Sequence, residues 1–313
     1  MLTANLSLTS VTGAANSGGG GGGGYTGPLD IVPGAVVAYG QRALSAAKLG
    51  SALYTIRRDS DDTTQSFNSD ALTGAAPVAD INSFLSGGNG FGTVLNDQSG
   101  NARDASQATA INQPLWVASA TNNIPAFALL PSGTFFGTPS FALNGAAYTI
   151  IAVFGQYAAD APLSLRAGMN GNDDSDANGP DFSLGFIFAS GGFSGAFFFG
   201  TDGTGFSDGN GANYTNPSPS TAYYLVDCRA NLLTAPSTFF NGATVPVNSF
   251  AYGTGDPGII TFPLGVGVVD PTSPSGNSDC NLLELIIYQT ALSDADMTAI
   301  RQNIAAFYGI TLS

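Results

Sequence analysis

The chain has 313 residues, with 42 glycines, 21 phenylalanines and only 10% charged residues, a composition typical of a turn-rich, all-β protein in one domain. Its net charge of −14 disfavours nucleic-acid and anionic membrane partners, because like charges repel. The absence of histidine excludes Ser/His/Asp and Cys/His catalysis and the usual zinc sites, so acid–base chemistry must come from Asp, Glu284 or Tyr.

Residues 1–24 form a segment of their own. Seven consecutive glycines, residues 18–24, predict a flexible tether with a root-mean-square span of roughly 15 Å. The N-terminus has no basic region and no uninterrupted apolar stretch, so we expect no signal peptide, and no run is long enough to span a bilayer. Before the tether, apolar residues spaced among Thr and Ser predict an arm that adds a strand to a partner sheet, with a disordered tail as the alternative: Leu2, Leu6, Leu8 and Val11.

The domain comprises residues 25–313, and its first half begins with short elements. Residues 41–49 predict a short helix, residues 53–58 a strand that enters an Asp-rich turn, and residues 78–85 a second short helix. Residues 95–116 then predict a loop between an apolar strand and a polar run that ends in Pro114 and Trp116, and its turn formers are Asn96, Asp97, Ser99, Gly100 and Asn101.

The second half alternates apolar runs with glycine-rich turns. Seven of these runs predict strands: residues 148–154, 184–188, 195–199, 223–229, 238–240, 259–269 and 282–288. Because seven or more strands need two packed sheets, they indicate a sandwich.

A C-terminal helix follows, with Ser293 as its cap and Asp296 in capping-box spacing. Leu292 is expected to pack on Met297, and Gly309 ends the helix. An apolar stripe gives the helix a structural role: Met297, Ile300, Ile304 and Phe307.

Two stretches, SALYTIRRDSDDTT (residues 51–64) and LNDQSGNARDASQATAINQPLW (residues 95–116), resemble the catalytic domain of fungal B-type α-L-arabinofuranosidases. They equally resemble phage virion proteins that carry the same module. The run from residue 264 onward is more loosely similar to the closing strand and helix of concanavalin A-like domains. The resemblance, over residues 28–117 and 257–311, implies an all-β concanavalin A-like β-sandwich (jelly roll) with a few short helices and a C-terminal helix.

The arabinofuranosidase resemblance implies a glycosidase with two carboxylates. Asp270, which ends LGVGVVD, stands where that family has its acid/base aspartate. The family's nucleophilic glutamate belongs to the middle region, where this chain has no Glu and Asp181 is the nearest acid. Asn96 also replaces the aromatic residue that usually precedes DQSGN, which removes a platform for a sugar ring. Paired aspartates at hydrolytic spacing, about 5 to 5.5 Å or 6.5 to 9.5 Å, therefore remain an alternative to a non-catalytic protein.

Protein sites that bind sugars commonly use exposed aromatic rings, which stack on the sugar, and acidic side chains, which accept hydrogen bonds from its hydroxyl groups. Asp270 and Asp181, with Tyr214 and Tyr223, are the predicted glycan-binding residues, and Tyr224 is a further exposed candidate. Trp116 is expected to be a structural plug.

Two further patterns leave alternatives open. Asp174, Asp176 and Asn178 resemble the opening of a calcium loop, but its closing Glu is missing, so the cofactor is none or calcium, and an Asp-rich turn is the other interpretation. Cys228 and Cys280 are either two buried thiols or, with Cα atoms within about 7 Å, a disulfide.

These observations favour a non-catalytic virion surface protein of a phage, a head fibre, capsid decoration protein or tail-fibre subunit assembled in the host cytoplasm. Its arm would dock on a capsid or tail protein, and its lectin-like domain would bind host or environmental glycans; symmetric self-assembly is a further hypothesis. The alternative is an arabinofuranosidase-like glycoside hydrolase that uses paired aspartates. A third hypothesis is a decoration protein without a ligand.

Overall fold

The computed structural model describes residues 24–121, 123–130, 132–144, 147–155, 163–167, 182–189, 192–199, 212–214, 223–231, 237–245, 259–267 and 280–313. They form an all-β sandwich with three α-helices: α1 (Pro28–Ile31), α2 (Val78–Leu85) and α3 (Asp294–Tyr308). The strands are β1 (Val37–Gly40), β2 (Ala52–Arg58), β3 (Thr64–Asn68), β4 (Gly90–Leu95), β5 (Ala105–Ser106), β6 (Leu115–Thr121), β7 (Ile124–Leu129), β8 (Phe136–Gly137), β9 (Phe141–Asn144), β10 (Ala147–Gly155), β11 (Leu163–Ala167), β12 (Phe182–Ala189), β13 (Gly192–Phe199), β14 (Ala212–Tyr214), β15 (Tyr223–Asn231), β16 (Ser237–Phe240), β17 (Ala243–Val245), β18 (Ile259–Phe262), β19 (Gly265–Val266) and β20 (Cys280–Tyr288).

One layer of the sandwich is an antiparallel sheet in the order β17-β16-β15-β10-β20-β1. Its central strands, β10 and β20, are apolar along almost their whole length and are buried on both faces. Such continuous apolar runs are expected of strands that are covered on both sides.

The other layer follows the antiparallel order β3-β2-β4-β5-β8-β19-β11-β12-β13-β14. Strands β6 and β7 connect the layers, because β6 pairs with β4 while β7 pairs with β6 and β20. A separate ribbon consists of β9 and β18.

Two apolar clusters hold these layers together. The first lies between the sheets and joins residues such as Tyr54, Phe127 and Phe136, whose rings meet edge to face with centroids 5.2 and 5.3 Å apart. The second lies on the outer face of the β10–β20 sheet, where Ile151 and Ile286 pack against Ile300 and Ile304 of α3. Helix α3 therefore covers a sheet face that would otherwise be exposed.

Helix α3 has the ends that the sequence predicts. The Ser293 hydroxyl accepts a hydrogen bond from Asp296 N at 3.1 Å, and Gly309 adopts a left-handed conformation (φ 70°) after the last turn. Leu292 and Met297 are buried in the same cluster, as expected. Within the described residues, no helix has the length and hydrophobicity needed to cross a membrane.

Other elements differ from prediction. The helix expected at residues 41–49 is wrong, because neighbouring segments take the backbone groups that it needs: Gln41 N donates to Leu283 O and Ala43 N to Gly74 O. Only a 3₁₀ turn, Ala46–Lys48, forms there. The strand expected at residues 259–269 is divided into β18 and β19, with Pro263 between them. Cys228 and Cys280 are two buried thiols, which confirms the first of the two interpretations.

Candidate functional site

Most of the predicted site residues lie outside the described residues. These are the candidate catalytic and calcium residues, namely Asp270, Asp181, Asp174, Asp176 and Asn178. The docking residues of the arm lie outside them as well: Leu2, Leu6, Leu8 and Val11. All of these assignments stay predictions.

The predicted glycan-binding tyrosines, unlike those residues, lie in the described part of the structure. Tyr214 ends β14, but Tyr223, at the start of β15, is only 4% exposed, and its ring lies 6.5 Å from that of Tyr308 on α3. Tyr224 faces the opposite cluster and packs on Phe240 with ring centroids 4.8 Å apart. The prediction that Tyr223 and Tyr224 are exposed is wrong, because β15 belongs to a sheet that is covered on both faces. Trp116 is buried in the core, which confirms its structural role.

Glu284 on β20 is one of three buried acids in the part of the chain that the structure describes. It accepts hydrogen bonds from Arg42 Nε at 2.9 Å and from the Tyr308 hydroxyl at 3.0 Å. Burial alone would lower the pKa of Arg42, but the adjacent Glu284 carboxylate raises that pKa overall. The acid is therefore a buried counter-ion, beyond the reach of a substrate.

A bulge in β20 places the Glu284 side chain on the face of the sheet that α3 covers. Val153 of β10 pairs with Glu284 and the next residue, Phe154, pairs with Leu282, so Leu283 has no partner of its own. An extra residue of this kind re-aims the side chains that follow it. Glu284 consequently faces α3 instead of the space between the sheets.

Asp227 on β15 is the second buried acid. Arg301 of α3 binds it in a bidentate ion pair, with both N–O distances 2.7 Å, and the Arg301 guanidinium lies 3.9 Å from the centroid of the Phe239 ring. This geometry fixes α3 to the sheet and leaves Asp227 no free oxygen edge for chemistry. Local sequence signals missed both this pair and the Arg42–Glu284 pair.

The acidic turn after β2 contains exposed aspartates that are paired with arginines. Asp61 binds Arg58 through both oxygens at 2.6 and 2.9 Å, and Asp62 binds Arg57 at 2.6 Å. Hydrogen bonds from Arg58 and from Thr63 N lower the pKa of Asp61. Arginines thus neutralise this turn, and no group of three or more His, Cys, Asp or Glu side chains in the described ranges could hold a metal ion.

The DQSGN loop holds the third buried acid, Asp97, and it has a structural role. The Asp97 carboxylate accepts hydrogen bonds from Ala38 N and Arg103 N at 3.0 and 3.1 Å. The Gln98 side chain donates to Arg42 O and accepts from Leu44 N. Each of the three buried acids is therefore engaged by arginine or by backbone N–H groups.

The register of β11, β12 and β19 shows at which end of the second layer each strand begins or ends, and therefore where the chain continues toward Asp181 and Asp270. Strands β12 and β19 are both antiparallel to β11: Leu184 and Val266 lie in one row beside Leu165. Asp181 precedes Leu184 by three residues, whereas Asp270 follows Val266 by four. The chain therefore connects to these aspartates at opposite ends of the sheet, and β11 begins at the end that leads to Asp270.

No protein-family model matches the sequence, and no curated protein matches it. Solved structures of arabinofuranosidases share its fold. A GH54 α-L-arabinofuranosidase soaked with a cyclic sulfate inhibitor matches with TM-score 0.64 and 18% identity over 90% of this chain and 66% of its own. An arabinofuranosidase complexed with arabinofuranosyl-α-1,2-xylobiose matches with TM-score 0.67 and 18% identity over 90% and 65%.

A variant GH54 enzyme soaked with 4-nitrophenyl α-L-arabinofuranoside matches with TM-score 0.64 and 18% identity over 90% and 66%. The chain spans about two thirds of the length of these structures. At this identity the similarity establishes the β-sandwich fold, and function must be argued from residues.

Proposed function

We propose that this protein is a carbohydrate-active β-sandwich that hydrolyses α-L-arabinofuranosyl groups with a pair of aspartates. The observation that carries the proposal is the sandwich shared with arabinofuranosidases over 90% of the chain at a TM-score of 0.67. Those structures contain arabinofuranosyl compounds or an inhibitor, so their common fold makes this sugar the first ligand to test.

The proposed acid/base is Asp270. Hydrolysis with either stereochemical outcome needs two carboxyl groups on opposite sides of the scissile bond. Each of the buried acids in the described part has a structural partner, namely Asp97, Asp227 and Glu284. The catalytic pair is therefore sought among residues outside that part, and Asp270 matches the arabinofuranosidase sequence pattern.

The partner of Asp270 is either Asp181 or an acid that follows from the register. Asp181 is the nearest acid in the middle region of the sequence, but β12, which begins one residue after it, starts at the end of the sheet opposite to the end at which β19 stops. Asp160 precedes the first residue of β11, Leu163, by three residues, at the end that leads to Asp270. We include Asp160 as the competing partner.

Glycan binding without turnover is the second candidate. It is favoured by the structural engagement of all three buried carboxylates in the described residues. The finer hypothesis, display on a phage particle, rests on the N-terminal sequence. Residues 1–17 carry no charged side chain in a chain of net charge −14, and seven consecutive glycines follow them in the sequence before the domain.

The hydrolytic proposal is tested with aryl α-L-arabinofuranosides. We expect wild-type turnover, and a loss of about 100-fold or more in Asp270→Asn, because a positioned acid/base contributes that much. A similar loss in Asp181→Asn or in Asp160→Asn identifies the partner. Asp80→Asn, on the exposed side of α2, is the matched control and should keep full activity.

Absence of turnover in the folded wild-type protein would make the hydrolytic proposal wrong. Binding to an arabinofuranoside-containing glycan array would then support the second candidate, and a blank array would contradict that candidate too. Deleting residues 1–24 should leave the fold intact and abolish attachment to a phage particle, whereas retained attachment would contradict the docking arm.

A further inference from the structure

Strand β1 forms one edge of the β10–β20 sheet. It pairs with β20 on one side, and all four of its residues, Val37–Gly40, are buried. The backbone N–H and C=O groups on its other side need partners, because buried groups without hydrogen bonds are strongly destabilising. An apolar edge strand is also a template on which a strand from another molecule can pair.

The loop of residues 97–103, which we name the edge loop, provides those partners. Ala38 N donates to Asp97 Oδ1 at 3.0 Å, and Gln98 N donates to Ala38 O at 2.8 Å. Two side chains then donate to Val36 O at 3.0 Å, namely Asn101 and Arg103, and the Ser99 hydroxyl lies 3.2 Å from the same oxygen. Most of these partners are side chains, so the loop ends the sheet and offers no further row of backbone groups.

The edge loop is held in shape by its own contacts. The Asp97 carboxylate also accepts hydrogen bonds from Ser99 N at 3.0 Å and from the Ser99 hydroxyl at 2.7 Å. Gly100 (φ 94°) and Ala102 (φ 54°) adopt left-handed conformations that bend the chain back toward β1. The loop is thus preorganised to lie along the strand.

The edge of the other layer is different. Strand β3 is an edge strand too, but four of its five residues are exposed and all of those are polar. Polar, short edge strands resist pairing with other molecules without any cover. The contrast indicates that β1 is covered because it is apolar.

We propose that the edge loop is a guard against self-association: it occupies the outer edge of β1 and prevents a second copy of this chain from pairing there. With the loop displaced, the β1 edges of two copies can pair antiparallel about a two-fold axis, which makes the contact self-complementary. The guard keeps the protein monomeric.

The test uses the full chain with Ser99→Ala/Asn101→Ala, which removes the Asn101 donor to Val36 O and the Ser99 hydroxyl that donates to Asp97, and keeps Asp97 and Gln98. The matched control is Ser66→Ala/Asn68→Ala, which makes the same changes on exposed β3. Sedimentation velocity over a concentration series reports mass, and hydrogen exchange reports protection of β1. Arg103→Met, which removes one donor and keeps an apolar stem, is the milder second variant if the double variant unfolds.

We expect wild type and control to sediment as monomers. In the loop variant, exchange in β1 should speed up about tenfold at low concentration, since each lost hydrogen bond is worth roughly 1 kcal/mol. Its mass should rise toward that of a dimer as concentration increases, and β1 should become protected again. A loop variant that stays monomeric, or whose β1 exchange is unchanged, overturns the proposal, as does a wild-type protein that already associates through β1.

Discussion

Arg42 and Glu284 form a buried ion pair, with side chains 2% and 1% exposed, although 242 residues separate them in sequence. The Arg42 guanidinium also lies 4.4 Å from the centroid of the Phe307 ring. The pair joins the segment after β1 to β20 and α3. It is therefore one of the contacts that link the N-terminal part of the domain to its C-terminal helix.

Glu284→Gln should destabilise the fold by about 3–5 kcal/mol, because it leaves the Arg42 charge buried without a counter-ion. The double variant Arg42→Met/Glu284→Leu should recover most of that loss, since it removes both charges. Free energies of unfolding from urea titrations measure both effects. Asp62→Asn, at an exposed ion pair with Arg57, is the control and should change stability by less than about 1 kcal/mol. A mild effect of Glu284→Gln would show that the pair is solvated.

Buried tyrosines make the fold sensitive to alkali. Burial raises the pKa of Tyr39, Tyr54 and Tyr308 above the ordinary value. Above about pH 10 these side chains ionise in the unfolded chain but keep their protons in the folded one, so the unfolded state binds fewer protons. The free energy of unfolding should then fall by up to about 1.4 kcal/mol per pH unit for each such tyrosine.

Phenolate absorbance and circular dichroism, followed together from neutral to alkaline pH, test this expectation. The buried tyrosines should ionise in the same step in which the sheet signal is lost. Complete ionisation of all 11 tyrosines at their ordinary pKa with the fold intact would contradict the burial of these rings.

The cap of α3 should make a measurable contribution. Ser293→Ala removes the hydroxyl that accepts from Asp296 N and donates to Asp296 Oδ2, and it should cost about 1 kcal/mol. Ser293→Asn keeps an acceptor at the cap and should remain close to wild type. Thermal unfolding of both variants under one condition gives the comparison. Equal losses in the two variants would show that the hydroxyl does not cap the helix.

Helix α3 and the central strands were predictable because their signals are local. The cap residue, the apolar stripe and the glycine stop of α3 lie within 17 residues, Ser293 to Gly309, and β10 and β20 are continuous apolar runs. The predicted apolar stripe does not include every buried residue of α3, since Arg301 and Tyr308 are buried as well. Arg301 is buried because Asp227, a distant residue on β15, neutralises it.

The failures share one cause, which is that distant partners decide the outcome. Residues 41–49 have a helical pattern, yet Leu283, Gly74 and Gln98 bind their backbone groups. The sequence around Tyr223 suggests an exposed aromatic ring, but α3, which is distant in sequence, packs over it. For the site, the sequence motif selects Asp270, but the register of β11, β12 and β19, which no local pattern predicts, gives the end of the sheet at which each of these strands begins or ends.

Gly92 of β4 tests how tightly the two layers pack. A Cβ atom there would lie 2.6 Å from both Phe127 Cε1 and Phe136 Cζ, inside the van der Waals limit. Gly92→Ala should therefore destabilise the fold by about 1–3 kcal/mol through overpacking. Gly24→Ala, where nothing lies within 4 Å, is the control and should leave the free energy of unfolding unchanged.

Phe136→Leu separates crowding from other causes. On its own it should be destabilising, because it removes buried ring atoms from the core. In the Gly92→Ala background it relieves the contact with the new methyl group, so the two effects should be less than additive in a double-mutant cycle. Strict additivity would mean that the alanine is tolerated without pressing on Phe136, and that the loss arises in the backbone of β4 instead.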